Sequence, residues 1–253
     1  MTAGTPHLPF ATRAAIFARL FAVQGSWNYE TLLGNGIAFA VEPALRLLPG
    51  GKGGAAYRAA LARQGGYFNA HPYLASVAVG ALARAELEGE APERIERFRT
   101  ACSGPLGSVG DRLIWAGWLP ACALLGLLAF GLGVSSAGVV LLFLGSYNAG
   151  HAALRAWGMR VGFRDGLRVA PALGAPFLRR GPSHVARATA CLAGAALPLA
   201  LHAVAGPALG TFTLLLAAAA LGAAALTRLH GRVEGWSLAV VGLAAFILFA
   251  AVR

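Results

Sequence analysis

Apolar residues fill the second half of the chain almost without interruption, in five stretches at about 113–133, 137–157, 188–204, 207–226 and 236–252. A bilayer span needs about 20 mostly apolar residues, and these runs meet or approach that length, so about five spanning helices are expected. The first half follows another pattern. Its apolar runs, 34–48 and 67–85, are shorter, and each contains a proline, Pro43 and Pro72. Such segments suit broken or re-entrant helices, whose freed backbone groups must be buried in protein or line a wet cavity, because lipid cannot hydrogen-bond them. Ahead of them, Ile16, Leu20 and Val23 share one helical face, with Phe17 and Phe21 beside it and Arg13 and Arg19 off its centre. A short interfacial helix within 10–25 follows. The pattern predicts an all-α integral membrane protein with a single membrane domain over 1–253. An interfacial helix leads into a broken region with cytoplasmic loops over 26–112, and a polytopic bundle of spanning helices occupies 113–253.

Composition agrees: 57% of residues are hydrophobic, 12% are charged, and the mean hydropathy is +0.64. The net charge of +11 raises nucleic acid as a partner. All but one of the basic residues are Arg, however, and they gather in short loops without the alternating aromatics that stack bases. The arrangement is topogenic, and anionic lipid headgroups suffice as partners. Arg160, Arg164, Arg168, Arg179, Arg180 and Arg187 face one acid, Asp165, so a loop over 160–187 is expected in the cytoplasm, which puts the C-terminal Arg253 outside. Residues 84–99 mix Glu and Arg at helical spacing and predict a solvated helix. The three cysteines are far apart and read as small apolar fillers, not as a disulfide or metal framework. The N-terminus lacks the order of a signal peptide.

Three polar knots interrupt the first half. Residues 24–30, Gln-Gly-Ser-Trp-Asn-Tyr-Glu, set a flexible Gly, two aromatics and an unpaired carboxylate at a membrane boundary. Trp27 and Tyr29 read equally well as an interfacial aromatic belt. Glu30 enters an apolar segment and is by default a functional candidate. Glu42 raises the same question and is better explained by pairing with an Arg. Residues 68–73, Phe-Asn-Ala-His-Pro-Tyr, offer Asn69 either as the cap of a helix opened by Pro72 or as a ligand contact. His71 has no second His or carboxylate at metal-ligand or catalytic spacing. The third knot runs from Gly104 to Asp111 and is followed by Trp115, Trp118 and Pro120. It lacks the Lys-Ser/Thr ending of a phosphate loop and predicts a re-entrant loop that places Asp111 in a polar cavity.

These three knots in order, together with Asn148 through Arg155, Gly158 and Gly162, resemble subunit IID of the mannose/fructose/sorbose family of bacterial phosphotransferase systems over about 20–166. The resemblance implies a non-enzymatic subunit in the bacterial cytoplasmic (inner) membrane, working in a hetero-oligomer with subunit IIC. Together they would translocate a hexose-like sugar that the soluble IIA and IIB proteins phosphorylate on uptake. No cofactor or metal is implied. The candidate sugar-binding set is Trp27, Asn28, Glu30, Asn69, His71, Asp111 and Trp115. Relative to the family pattern, Arg112, Leu119, His151 and Glu42 are departures, which bear on sugar choice more than on fold. The competing reading is a regulatory or scaffolding membrane protein derived from such a subunit.

Overall fold

The computed structural model describes residues 7–205, and two compact units divide the chain at Leu197/Pro198. The described residues are helical apart from turns and two isolated bridges. In order they form α1 (Phe10–Leu20), α2 (Gly34–Leu45), α3 (Ala55–Gln64), α4 (Ala75–Leu87), α5 (Pro92–Cys102), α6 (Pro105–Gly110), a π-helical segment (Asp111–Trp118), α7 (Leu119–Gly131), α8 (Ser136–Asp165), α9 (Ala170–Leu173) and α10 (Pro176–Ala205). Among the described residues, three runs are long and apolar enough to cross a membrane: Pro92–Gly131, Ser136–Arg168 and Ala170–Val204. The chain is a membrane protein whose described residues form helices and turns. Of the five apolar stretches, 207–226 and 236–252 lie outside the described residues, as does the predicted placement of Arg253.

The helices that carry the apolar runs of the first half are short. Helices α2 and α4 have 12 and 13 residues, well short of a span of about 20. Pro43 lies inside α2 and has no N–H to give the Phe39 carbonyl one turn back. Arg19 supplies that donor: its Nη1 lies 2.8 Å from Phe39 O and 2.7 Å from a Glu42 carboxylate oxygen, and its guanidinium covers the Phe39 ring. Arg46 and Tyr57 complete the set around Glu42. Burial opposes ionisation of Glu42, but the hydrogen bonds from Arg46, Tyr57 and Arg19 outweigh it and hold the carboxyl down at about 2. The departure at Glu42 is thus matched by cations from α1 and the end of α2.

Several expectations need correction. Residues 84–99 are not one solvated helix. The chain turns at Gly89, whose φ of 67° favours glycine, and both Glu86 and Arg99 are buried. Glu86 accepts from Arg63 and Gln64, and Arg99 donates to Gln64 and the Gly66 carbonyl, which locks α3, α4 and α5 together. The predicted 160–187 loop is mostly helix as well, because α8 continues to Asp165 and α10 begins at Pro176, leaving a short helical connection. Nor is 104–111 a loop. Gly104, with φ 93°, turns the chain into α6, which runs directly into the π segment. Pro120 lacks the N–H that an α-helix would give to Ala116, and its ring crowds that carbonyl, so a wider winding just before it relieves the conflict.

Helices α4 and α8 form the most extensive pairing, and glycines set their separation. A Cβ on Gly162 would lie 2.1 Å from Val77 O, one on Gly158 2.2 Å from Ser76 Oγ, and one on Gly80 2.3 Å from Met159 O. Two backbones at this distance leave no room for any side chain between them, as at small-residue interfaces of membrane helices. Gly158 and Gly162 therefore serve packing.

Candidate functional site

Three non-helical stretches meet through backbone hydrogen bonds. Leu33 N–H donates to Phe68 O and Phe68 N–H to Thr31 O, which joins the turn after α1 to the turn before α4. Asn69 N–H donates to Ser103 Oγ, Gly104 N–H to Asn69 O, and His71 N–H to Leu106 O, which joins the second turn to the start of α6. Leu32 takes φ 49°, a left-handed conformation costly for a branched side chain, and is held there by donating to Asn28 O. Irregular backbone is thereby satisfied locally, which is the condition for placing it at membrane depth.

A polar cavity of about 130 Å³ opens where the three stretches meet, and Gln24, Trp27, Asn69, His71, Asp111 and Trp115 line it. Five of the seven candidate residues thus converge from positions as far apart as 27 and 115. Trp27 and Trp115 are roughly half exposed at its mouth, and Asp111 is exposed. His71 is 1% exposed; its Nδ1 accepts from Tyr73 N–H, and its Nε2 is buried without a partner. Burial, with the Arg155 cation adding to it, pushes the His71 imidazole down to about 4, so it stays neutral near pH 7. A neutral ring accepting at Nδ1 carries its proton on Nε2, leaving a buried donor unanswered. The other two candidates are elsewhere. Asn28 holds its own turn, accepting from Glu30 N–H and Thr31 N–H through Oδ1 and donating to Thr31 Oγ1. Glu30 is exposed and does not line the cavity. Asn69 does not cap α4, which starts at Ala75 without a side-chain cap; it faces the cavity instead.

Behind the cavity lies a chain of residues that the three polar knots of the sequence do not contain, apart from Tyr73. Tyr147, His151 and Arg155 repeat every four residues along one face of α8. Arg155 is 3% exposed, donates to Leu20 O at the end of α1 and to His151 Nδ1, and stacks over Tyr73 and Phe21. Because Arg only donates, His151 must accept at Nδ1 and donate from Nε2 to Asn148 Oδ1, 2.7 Å away. Tyr73, hydrogen-bonded to Tyr147, packs against His71, Trp115 and His151. The i, i+4, i+8 spacing of Tyr147, His151 and Arg155 is the sequence signal that marks them as one face.

The family model for the PTS system mannose/fructose/sorbose family IID component matches residues 8–179, which include every element that builds the cavity. The chain belongs to this family. Similar IID proteins include the mannose-specific EIID component of Escherichia coli (strain K12), 30% identical over 174 residues, covering 65% of this chain and 59% of that protein. The fructose permease IID component of Bacillus subtilis (strain 168) is 30% identical over 160 residues, covering 61% and 57%. The sorbose-specific EIID component of Klebsiella pneumoniae is 29% identical over 174 residues, covering 66% and 61%. The chain spans less than two thirds of the length of these curated relatives. A chain in the cryo-EM structure of the mannose transporter ManYZ in complex with a microcin matches with a TM-score of 0.57 at 28% identity, covering 75% of this chain and 70% of that one. A second solved structure, of a membrane protein, shares the fold with a TM-score of 0.72 at 22% identity, covering 97% and 98%.

Proposed function

We propose that this IID subunit acts with a membrane IIC subunit to move a hexose-like sugar of the mannose/fructose/sorbose class across the bacterial cytoplasmic membrane, soluble IIA and IIB proteins phosphorylating it on uptake. The observation that carries the proposal is the convergence of Gln24, Trp27, Asn69, His71, Asp111 and Trp115 on one polar cavity. A sugar needs hydrogen-bonding groups for its hydroxyls and an apolar face for its ring. Asn69, Asp111 and the unanswered His71 N–H supply the first, and Trp27 and Trp115 the second. Asn28 and Glu30 enter as parts of the turn that carries Trp27. At roughly 30 Å³ per water the cavity holds about four waters, so it contacts one side of a sugar and leaves the rest to a partner surface. The relatives' names favour transport over the scaffolding alternative, since each is a PTS or permease component.

Asp111→Asn, co-expressed with a IIC subunit, tests the reading, because it removes charge while keeping size. Assembly is expected to persist while uptake falls sharply. Loss of the assembled complex, or unchanged uptake by an intact one, would refute the assignment. Topology is tested separately by single-cysteine labelling at residue 174, expected from the cytoplasmic side.

A further inference from the structure

A second groove, between α5 and the turn that follows α8, has no part in the sugar reading. It measures about 480 Å³. Arg94 and Arg97, one helical turn apart, form one wall; Leu167, Ala170 and Leu173 form the other; Phe98 and Cys102, each more than nine-tenths buried, close the floor. One side is therefore cationic and the other an apolar trough.

The chain sets the depth of this groove. Leu167 and Ala170 flank the junction of two runs long enough to cross the membrane, Ser136–Arg168 and Ala170–Val204, so the groove lies at the level where spans meet headgroups. The same junction collects Arg160, Arg164, Arg168, Arg179 and Arg180 against Asp165 alone, the asymmetry that marks the cytoplasmic side. That leaflet is the anionic one, and basic pockets between spanning helices on that side suit acidic headgroups. Arg94 shares its charge with Glu90. Glu93 and Glu96 line a separate depression on the other flank of Arg97, and Arg97 belongs to none of the ion pairs among the described residues.

We propose that this groove binds an anionic glycerophospholipid, with its phosphate against Arg94 and Arg97 and its upper acyl chain along Phe98, Leu167 and Leu173. A zwitterionic lipid brings an ammonium to the cationic wall, and a free anion has nothing to place in the trough.

The test is native mass spectrometry of the full chain, delipidated in mild detergent and titrated with phosphatidylglycerol or phosphatidylcholine. One phosphatidylglycerol is expected to be retained with a preference of about tenfold or more. The double variant Arg94→Gln, Arg97→Gln should lose that preference, and the corresponding Lys pair should restore part of it. Both residues are exposed, so folding is not at stake. Arg179→Gln with Arg180→Gln, at the same end but outside the groove, should leave the preference intact. Inorganic phosphate at the same concentration should not displace the lipid. Equal retention of the two lipids, an unchanged preference in the Arg94/Arg97 variant, or an equal loss in the Arg179/Arg180 variant would overturn the proposal. Displacement of bound phosphatidylglycerol by polyglutamate would assign the groove to an acidic protein segment and overturn it as well.

Discussion

Replacing Gly110 by Ala places a methyl where His71 already sits. The new Cβ would lie 2.2 Å from His71 Cβ, 2.4 Å from Cγ and 3.0 Å from Nδ1. Carbon atoms rest at about 3.5–4.0 Å, so His71, its backbone and Cβ together with the ring, must retreat by more than about 1 Å. It is 1% exposed and bounded by Tyr73 and Trp115, which leaves the small cavity as the direction open to it. Forced repacking of this kind costs about 1–3 kcal/mol. Against it stands a gain of about 1 kcal/mol from Ala over Gly in a helix. Gly107, on the same helix, gives the internal control: its added Cβ meets nothing nearer than 3.9 Å, so Gly107→Ala keeps the helical gain without the clash. Gly110→Ala should therefore be less stable than Gly107→Ala by roughly 1–3 kcal/mol. Unfolding in mixed micelles followed by tryptophan emission measures this, since the Trp115 ring lies 4.9 Å from His71. Uptake with a IIC partner should fall in Gly110→Ala because His71 intrudes on the cavity. Equal stability of the two variants would refute the packing, and uptake by Gly110→Ala equal to that of the unsubstituted protein would refute the site assignment; Gly107 itself lines the cavity and serves as the control for stability alone.

Other outcomes follow from the packing and charge networks. Gly162→Ala, with its Cβ 2.1 Å from the Val77 carbonyl, should separate α4 from α8 and cost about 1–3 kcal/mol or more, read as lost detergent-stable yield. Glu86→Gln removes the buried carboxylate that accepts from the part-buried Arg63 and from Gln64, the residue that also holds buried Arg99, and should cost roughly 3–5 kcal/mol, whereas Glu93→Gln on the exposed face of α5 should change melting little. Acid should destabilise the protein in two windows, because both folded-state values are depressed. Neutral His71 contributes stability above its ordinary 6.5 that is lost as pH falls toward about 4, and ionised Glu42 contributes stability above 4.5 that is lost toward about 2. Melting temperature against pH should show both steps, and His71→Gln should abolish the upper one alone.

Two properties of this protein follow from local sequence. Membrane residence is one, since a run such as 113–133 must be covered by lipid or protein wherever it sits. The donor missing from α2 is the other, because Pro43 has no backbone N–H in any context. The family motifs were also readable in order, and they named most residues of the cavity. What they could not convey was which polar groups face each other. Asn28 and Asp111 are both polar residues of glycine-containing knots, yet one closes a turn and the other lines a cavity, a difference decided by hydrogen bonds from Leu33 to Phe68 and from Gly104 to Asn69 that join distant segments. Charge patterns misled for the same reason: Glu86 and Arg99 lie in a stretch that alternates like a solvated helix, and only the approach of Arg63 and Gln64 from α3 makes their burial affordable. Likewise Gly158 and Gly162 stand in the chain as two small residues on a polar-edged helix. Their meaning comes from α4 lying against them, a contact between residues about 80 positions apart that no local pattern encodes.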